Sequence, residues 1–335
     1  MSHRIAVLGL HHDHVWSNLE ELAATGRAEL VGAADADPEL LAKYRERFPG
    51  ETFGNYDEFL DLLGERGCDA VYVFASNRLG EDLVVAACER GLHCLVEKPM
   101  AASLAGAERM LVAAREAGVR LMVNWPFAWW PQLRHGICMA QGGELGQVWQ
   151  VRYRAAHEGP VELGCSRQFC EWLYDAELNG AGALMDYCCY GAVLADVVLG
   201  RPESVSGLRL RTGLKQDLEL EDNAVLLLKY PHALATTEAS WTQIGHLTSY
   251  STTIYGSLGT VHIEPGPDGR ILHATAAHPE GRALEVPPQP GHLENASLHF
   301  LSAIEDPAFV IHPLCDADHG RNAQWILEKG LEATR

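Results

Sequence analysis

The sequence predicts an α/β protein of two domains. The N-terminal domain is a doubly wound parallel sheet of the Rossmann type, and the C-terminal domain is an α+β domain with an open, mainly antiparallel sheet. Two observations carry this prediction. Over the first third, short apolar runs alternate with amphipathic helical stretches, which is typical of a parallel sheet covered on both faces. After about residue 125, longer alternating runs follow one another. We place the domains at residues 1–123 and 124–335.

The elements of the first domain follow from these runs. Continuous apolar segments predict buried strands at Arg4–Leu10, Ala28–Asp35, Asp69–Ala75, Leu92–Glu97 and Arg120–Asn124. The segments between them predict helices at Trp16–Thr25, Pro38–Phe48, Glu81–Arg90 and Leu104–Ala117. Sheets of this kind bind ligands at the carboxyl ends of their strands.

The second domain begins with a tryptophan-rich segment and continues with several consecutive strands. Alternating residues predict strands within Gly146–Gly159, Ser204–Gly213, Ala224–Tyr230, Ala233–Gln243 and Thr248–Glu264. One long apolar helix is expected at about Ala183–Leu199, and another closes the chain from about Gly320.

Composition limits the classes of function. The formal charge of −19 is spread along the chain without a basic cluster, so we expect no nucleic-acid partner. The start lacks the features of a signal peptide, and no run of about 18 apolar residues is found, so we expect a cytoplasmic protein without a membrane partner. The nine cysteines have no metal-type spacing and are expected to be reduced thiols.

The segment "VLGLHHDHVW", residues 7–16, is either a nucleotide-binding turn or a metal site. A strand, a turn and a helix, followed by Asp35 at the end of the next strand, form the context of a dinucleotide fingerprint. Only Gly9 of the three expected glycines is present, because His11 and His14 occupy the other positions. Four consecutive polar side chains cannot all point at one ion. A cofactor turn is therefore favoured, no metal is expected, and a purely structural loop is the remaining alternative.

The segment "GLHCLVEKPMA", residues 91–101, resembles the Glu-Lys-Pro signature of the glucose-fructose oxidoreductase, inositol dehydrogenase and rhizopine catabolism (Gfo/Idh/MocA) family. Further segments resemble the family in the same order: "GELGQV", "NGAGALMDYCCYGAVLADVVLG" and "YGSLGTVHIE". The resemblance covers essentially the whole chain. It implies an NAD(P)-dependent oxidoreductase that acts mostly on sugars, polyols and related alcohols.

The resemblance also implies the cofactor side of the site. Lys98 would stand where nicotinamide and substrate meet, and Pro99 in this motif often follows a cis bond. Glu97 is interpreted as a cofactor-side residue near the ribose. The cofactor-binding residues expected on this basis are Gly9, His11, His12, Asp35, Ala75, Asn77, Glu97 and Lys98.

The catalytic residues expected are Lys98, Tyr190 and Asp186. Many family members carry DxGxH in the second-domain helix, whereas this chain has Asp186, Cys188 and Tyr190 at those positions. Tyrosine at the histidine position resembles the branch in which a phenol moves the proton. A tyrosine with a pKa of about 10 is a poor base unless a cation stabilises its anion, and Lys98 supplies that charge. Asp186 precedes Tyr190 by one helical turn and lies on the same face.

Another departure leaves the histidines open. The family's Thr-Pro-Asn-x-x-His segment is "ASNRLG" here, residues 75–80, with Gly80 in place of histidine. The space of the missing imidazole is one that His11, His12 or His14 of the adjacent turn can fill. The substrate-binding residues expected are His14, Trp125, His157, Arg167 and Trp172. Tryptophan suits a sugar ring, and arginine suits an acidic sugar or a phosphate. A capping loop with ordinary surface charge is the alternative for the segment that holds the last three.

Three functions compete. The first is reversible hydride transfer between NAD and a secondary alcohol of a sugar or polyol. The second is a redox-neutral lyase or glycosidase that oxidises a sugar hydroxyl, eliminates a group and returns the hydride. The third is a non-catalytic NAD-binding sensor. NAD is expected over NADP, because Asp35 would repel a 2′-phosphate and no neighbouring cation offsets it. A homodimer or homotetramer that uses the open sheet is also expected, and this expectation rests on the family.

Overall fold

The computed structural model describes residues 2–334, and its first sheet has six parallel strands in the order β3-β2-β1-β4-β5-β6. The strands are β1 His3–Leu8, β2 Ala28–Ala34, β3 Glu51–Phe53, β4 Ala70–Val73, β5 His93–Glu97 and β6 Leu121–Asn124. The helices between them are α1 His14–Ala24, α2 Pro38–Arg47, α3 Tyr56–Glu65, α4 Asn77–Glu89 and α5 Leu104–Ala117. The doubly wound prediction is therefore confirmed, and the strand order reverses between β1 and β4, where such folds bind ligands.

Polar side chains at the carboxyl edge of this sheet start its helices. Asp37, Asn55, Ser76 and Ser103 each accept a backbone N–H bond in the first turn of α2, α3, α4 and α5, respectively. These caps fix where each chain segment turns back, so the loops that follow the strands are held at the edge where a ligand is expected.

Sequence reasoning missed β3 and α3. The strand has only three residues at the sheet edge, and none of them is fully buried, so it carries no continuous apolar signal. The helix has a clear apolar face, but it lies in the gap that was left between two predicted units.

The second sheet has eight strands in the order β14-β13-β12-β11-β7-β10-β9-β8. The strands are β7 Val148–Ala156, β8 Ser204–Leu210, β9 Asn223–Lys229, β10 Leu234–Ser240, β11 Ser251–Gly256, β12 Gly259–Ile263, β13 Ile271–Thr275 and β14 His278–Leu284. All pairs are antiparallel except β7 with β10, which confirms the mainly antiparallel sheet. The hairpin β13–β14 was not predicted.

Six further helices complete the fold. They are α6 Pro131–Gln141, α7 Arg167–Leu173, α8 Ala176–Asn179, α9 Cys189–Leu199, α10 Ala296–Glu305 and α11 Ala317–Ala333. Helices α6 and α9 pack on one face of the second sheet. The other face presents alternate side chains of β8, β9 and β10 to solvent, including Leu208, Val225 and Leu234.

The chain divides into two compact units. The first unit contains residues 2–124, 165–180 and 290–321, and the second contains residues 125–164, 181–289 and 322–334. The first division between the units falls after Asn124. Two later segments also belong to the first unit, because α8 packs on α4 and α10 packs on α1. A boundary drawn once along the sequence cannot describe a chain that returns to its first unit twice.

One stretch, Ala176–Leu199, has the length and mean hydropathy, 1.4, of a membrane-spanning helix. Most of its apolar window, 89%, is buried inside the protein. A core helix satisfies the same criteria, so this stretch is weak support for a membrane span.

Candidate active site

The turn between β1 and α1 needs glycine at its first position. Gly9 has φ +82°, and a Cβ atom there would lie 2.7 Å from both the Cβ and the backbone nitrogen of Ala75. No other residue type fits this close approach without moving the end of β4. The structure therefore brings together Gly9 and Ala75, two of the residues predicted for the cofactor.

The carboxylate of Asp35 organises the same turn. It is fully buried, and it accepts hydrogen bonds from the backbone N–H groups of Leu10 at 2.6 Å and Asp37 at 2.7 Å. Nδ1 of His11 lies 3.0 Å from one of its oxygens. Asp35 thus holds the turn in shape.

A cavity of about 470 Å³ opens in the first unit beside this turn. Its lining comes from the loops after β1, β2 and β4, from the first turns of α3 and α4, and from α7 and α8, and it includes His11, Ala36, Ser76, Arg78 and Trp172. Mixed apolar and polar walls suit a nucleoside. With the close approach at Gly9 and the N-terminus of α1 nearby in sequence, these residues fit a dinucleotide cofactor.

His12 is a neutral packing residue at the centre of the first unit. It is buried, with its ring centroid 4.8 Å from that of Phe169 and 5.8 Å from that of Trp172. Burial, together with the nearby charges of His14 and Lys98, holds its pKa well below the usual value. His12 accepts a hydrogen bond at Nδ1 from the backbone N–H of His14, 3.2 Å away.

His14 and Glu97 form a second hydrogen-bonded group. Nδ1 of His14 is 3.1 Å from Oε1 of Glu97, and the other carboxylate oxygen accepts a bond from the Asn124 amide at 2.8 Å. Glu97 is buried at the end of β5, and His14 is half-exposed at the start of α1.

His12, His14 and Glu97 also have the composition of a metal site, because one ligand atom from each lies within 4.8 Å of the others. Glu97, the third possible ligand, is 83 residues from His14 in the sequence, so the spacing of the histidines does not reveal it. Two contacts oppose a cation here. Nδ1 of His12 accepts a hydrogen bond, so the proton of the neutral ring lies on Nε2 and neither nitrogen is open to a metal ion. The positive charge of the nearby Lys98 ammonium, which lowers the pKa of the same imidazole, also repels a cation.

Lys98 follows Glu97 and is only 4% exposed. The Lys98–Pro99 peptide bond is cis, as the resemblance implies. Buried ionisable side chains at the ligand-binding edge of such a sheet cluster at functional sites, so Lys98 is a candidate for chemistry.

Helix α7 brings the predicted residues Arg167 and Trp172 to the first unit, and α8 contacts a third predicted residue, Asn77 of α4. The Asn77 amide donates to the backbone and side-chain oxygens of Asn179, at 3.0 and 2.8 Å. Trp172 donates to the backbone oxygen of His11 at 3.4 Å and lines the nucleoside-sized cavity. Arg167 is exposed, and its guanidinium lies 2.7 Å from the carboxylate of Glu171.

The second unit holds the predicted helix residues. A π-helical turn, Leu184–Cys188, runs directly into α9. Single π-helical turns often occur at functional sites. Tyr190 is buried with its ring 5.5 Å from Trp125, 5.0 Å from Phe127 and 5.9 Å from Tyr153. The structure thus brings Trp125, a predicted substrate residue, to the predicted proton carrier.

Asp186 is held by neighbours that the sequence did not reveal. One of its carboxylate oxygens accepts a bond from the indole N–H of Trp241 at 3.2 Å. The carboxylate of Glu221 accepts the N–H groups of Gly182 at 2.7 Å and Leu184 at 3.2 Å, and so fixes the start of the π-helical turn. Both partners come from segments distant in sequence, so no local pattern identifies them.

Tyr187 and Tyr250 were also missed. Their hydroxyl oxygens are 2.9 Å apart, and the ring of Tyr187 contacts His157 at 5.0 Å and Tyr190 at 6.0 Å. Burial, and then the charge of Asp186, raise the pKa of Tyr187 well above 10, so its phenol is protonated at neutral pH. Its position next to Asp186 was the available signal for Tyr187, whereas nothing in the sequence marks Tyr250.

Comparison with known proteins agrees with this fold. Residues 4–125 match the oxidoreductase family with an NAD-binding Rossmann fold, GFO_IDH_MocA, and residues 138–262 match the GFO/IDH/MocA C-terminal domain. The chain belongs to the Gfo/Idh/MocA family of NAD(P)-binding oxidoreductases.

Two relatives and one solved structure illustrate the similarity. A dTDP-3,4-didehydro-2,6-dideoxy-alpha-D-glucose 3-reductase from Actinomadura kijaniata is 31% identical over 67% of this chain and 64% of its own length. A D-xylose 1-dehydrogenase [NADP(+)] from Haloarcula marismortui is 28% identical over 79% of this chain and 72% of its own. Aldose-aldose oxidoreductase from Caulobacter crescentus, solved with glycerol, superposes with a TM-score of 0.82 at 23% identity, over 100% of this chain and 98% of that one.

Proposed function

We propose that this protein transfers hydride reversibly between NAD and a secondary alcohol or ketone of a sugar, a polyol or a derivative. The observation that carries the proposal is the burial of Lys98, 4% exposed, directly after the last residue of β5. A buried ammonium at the ligand-binding edge of a doubly wound sheet has a clear use in polarising a reacting oxygen. A sensor that only binds a nucleotide has no need of it.

Each residue has a distinct role in the proposed reaction. When bound, the coenzyme accepts the hydride that leaves the alcohol carbon. Lys98 binds the alcohol oxygen and favours its deprotonated form, while Tyr190, as a phenolate, accepts the hydroxyl proton and becomes a neutral phenol. Loss of the hydride and the proton converts the alcohol to a ketone, and reduction reverses both steps. Asp186, hydrogen-bonded to Trp241, orients this part of the helix.

Support for the substrate class comes from the relatives. The two named above act on a dideoxy-sugar nucleotide and on D-xylose, and another relative is named 1,5-anhydro-D-fructose reductase. All three names describe redox chemistry at a sugar hydroxyl or carbonyl. The aligned part is 64% of the reductase from A. kijaniata, so its substrate is not transferred to this chain.

NAD is proposed over NADP. Two acidic residues, Asp35 and Asp37, flank Ala36 of the cavity wall at the end of β2, and the Asp35 carboxylate accepts the backbone N–H of Asp37. Arg78 also lines the cavity, but it lies 2.9 Å from the carboxylate of Asp82, which offsets its charge. A 2′-phosphate would thus meet more negative than positive charge.

A substrate screen tests the function. Purified protein is incubated with NAD or NADP and a panel of aldoses, ketoses and cyclitols, and both nicotinamide absorbance and products are followed. Coenzyme reduction coupled to oxidation of a hydroxyl is the expected result. Product formation without net coenzyme reduction would replace the proposal with the redox-neutral reaction. Tight coenzyme binding without any turnover would replace it with a sensor.

A further inference from the structure

Four tyrosines of the second unit form a group that we call the phenol cluster: Tyr153, Tyr187, Tyr190 and Tyr250. The rings of Tyr153 and Tyr190 are stacked at 5.9 Å, Tyr190 and Tyr187 are 6.0 Å apart, and Tyr187 meets Tyr250 edge-on at 5.8 Å. The hydroxyls of Tyr187 and Tyr250 are hydrogen-bonded at 2.9 Å. Only one member of the cluster, Tyr190, is needed for the proton transfer proposed above.

Two buried polar atoms, one in this cluster and one next to it, have no hydrogen-bond partner among residues 2–334. They are the Tyr153 hydroxyl and the indole nitrogen of Trp125, and both side chains are at most 1% exposed. Both residues contact the ring of Tyr190. Buried donors are almost always paired in native proteins, so these two point to a ligand or water with oxygen acceptors. A ring that carries several hydroxyls provides such acceptors.

The backbone at Tyr250 is held in an uncommon conformation. Tyr250 has φ +55°, and Thr248, two residues earlier, has φ +57°. The amide of Gln243 supports this loop by donating to the backbone oxygen of Leu247 at 2.8 Å and to the Ser249 hydroxyl at 2.7 Å. Non-glycine residues with positive φ persist where the surroundings require them, and they are frequent at ligand sites. Here the conformation places the Tyr250 hydroxyl on Tyr187.

Charges around the cluster disfavour an anionic ligand. Burial raises the pKa of Tyr187, and the carboxylate of Asp186 is the next largest cause of the increase. Asp186 also raises the pKa of Tyr153, but only after burial, Tyr250 and Cys189, so its negative charge acts mainly at Tyr187. Arg152 and Arg154 flank Tyr153 in β7, but strand alternation directs them to the opposite face, where they lie 3.5 and 3.0 Å from Glu238.

Other charges act in the same direction. Arg167, which the sequence offered for an acidic substrate, is paired with Glu171 in the first unit. The formal charge of the chain, −19, also repels anions over a longer range.

We propose that the phenol cluster binds an uncharged polyhydroxylated ring, a free sugar or cyclitol rather than a sugar acid, sugar phosphate or nucleotide sugar, and that the Tyr187–Tyr250 hydroxyl pair is the subsite for a hydroxyl next to the reacting one. Aromatic rings pack on the apolar faces of such a ring, while phenols and the indole N–H bind its hydroxyls. This inference rests on the proposed function for its reacting hydroxyl.

Binding of matched probes to the holoenzyme tests the inference. The pairs are D-glucose with D-glucuronate, D-glucose with D-glucose 6-phosphate, and myo-inositol with myo-inositol 1-phosphate, measured by ligand-observed NMR in the presence of NADH. At least one neutral member is expected to bind about tenfold more tightly than its anionic partner. Tighter binding of the anionic members, or no binding of any probe, overturns the inference.

Variants locate the subsite. Tyr187→Phe and Tyr250→Phe each remove one hydroxyl and keep the ring, so each is expected to weaken binding of the neutral probe, and to raise KM, about tenfold with kcat changed less than about threefold. The matched control is Tyr255→Phe, which removes a hydroxyl from β11 beside Trp149, outside the cluster. Thermal melting and NADH affinity confirm that each variant is folded. Unchanged affinity in both cluster variants overturns the hydroxyl subsite.

The two proposals can fail separately. Binding of neutral probes that depends on Tyr187 and Tyr250, without hydride transfer, overturns the proposed oxidoreductase and leaves the binding site intact. Hydride transfer that occurs only with anionic sugars supports the oxidoreductase and overturns the phenol-cluster inference.

Discussion

Nδ1 of His11 lies 3.0 Å from a carboxylate oxygen of Asp35, while the next residue, His12, is packed among aromatic rings. The pKa values of these two neighbouring histidines are therefore shifted in opposite directions. Burial lowers the pKa of His11, but Asp35, with Asp37 and Glu171, outweighs burial and raises it above 6.5. For His12, burial dominates and the pKa is lowered well below 6.5.

These opposite shifts predict opposite pH dependences of stability. A raised pKa in the folded state means that the His11–Asp35 contact stabilises fully below a pH of about 6.5 and is lost as the pH rises through the folded pKa. His11→Gln is therefore expected to destabilise the protein more at a pH of about 5.5 than at about 8.5. Urea unfolding at both pH values measures the difference.

His12→Gln provides the comparison. A lowered folded pKa means that His12 costs stability as the pH falls from about 6.5 toward that pKa, because the unfolded chain takes up the proton first. The variant loses packing at every pH, but its stability should fall less steeply on acidification than that of the wild type. Identical pH slopes in the two variants would contradict the assigned charge states.

The sequence was sufficient for the fold because the signals of buried strands and amphipathic helices are local. Helix α5 was predicted with the bounds that the structure shows, and its N-cap Ser103 and C-terminal Gly118 explain why. The short strand β3 and the hairpin β13–β14 were missed. Strands β3 and β14 lie at sheet edges and have no buried residue, and β13 has only one buried residue, so all three carry weak patterns.

The site was only partly predictable, for a related reason. Glu97, Lys98 and Tyr190 stand in segments with recognisable motifs. The partners that position the site come from segments far away in sequence: Trp241 binds Asp186, Tyr250 binds Tyr187, and Glu221 holds the π-helical turn. Contacts of this kind are set by tertiary packing and leave no spacing to detect.

Coenzyme preference is expected to depend on the wall at residue 36. Ala36→Arg places a cation in the cavity near the end of β2, where it can pair with a 2′-phosphate. We expect the ratio of NADP to NAD affinity to rise at least about tenfold, measured by fluorescence titration with both coenzymes. Ala36→Gln, which adds length without charge, is the control. Tighter binding of NADP than NAD by the wild type would refute the proposed preference.

Chelators are expected to have no effect. The group of His12, His14 and Glu97 is explained as a hydrogen-bonded network beside Lys98, so dialysis against 1,10-phenanthroline should leave turnover and melting temperature unchanged. Elemental analysis of the purified protein provides an independent measurement. A stoichiometric metal that is lost in His14→Ala would instead assign these three residues as ligands.

The open face of the second sheet predicts self-association, which we propose as a homodimer. Exposed apolar side chains follow one another across three neighbouring strands: Leu208 and Leu210 in β8, Val225 and Leu227 in β9, and Leu234 in β10. Monomeric proteins rarely expose an apolar patch of this kind. Light scattering at micromolar concentration should give at least twice the chain mass of 36.7 kDa.

A charged substitution at the centre of this apolar patch tests whether the patch forms the dimer interface. Leu227→Lys is expected to shift the protein toward the monomer, because burial of an unpaired ammonium in an interface is costly. Leu258→Lys, at an exposed apolar position between β11 and β12, is the control. A wild-type monomer, or equal dissociation in both variants, would remove the interface from this face.

The proton-transfer pair gives the most direct test of the chemistry. Tyr190→Phe keeps the ring that packs on Trp125 and Phe127 and removes the group that carries the proton, so turnover should fall by roughly two to four powers of ten with nearly unchanged NAD affinity. The Lys98→Met variant should lose as much turnover, since the substitution removes the charge that binds the reacting oxygen. Tyr44→Phe, in the packed core of the first unit, controls for the loss of a buried hydroxyl. If Tyr190→Phe turns over at nearly the wild-type rate, the proton passes through another group, and His12 and Asp186 become the candidates to replace.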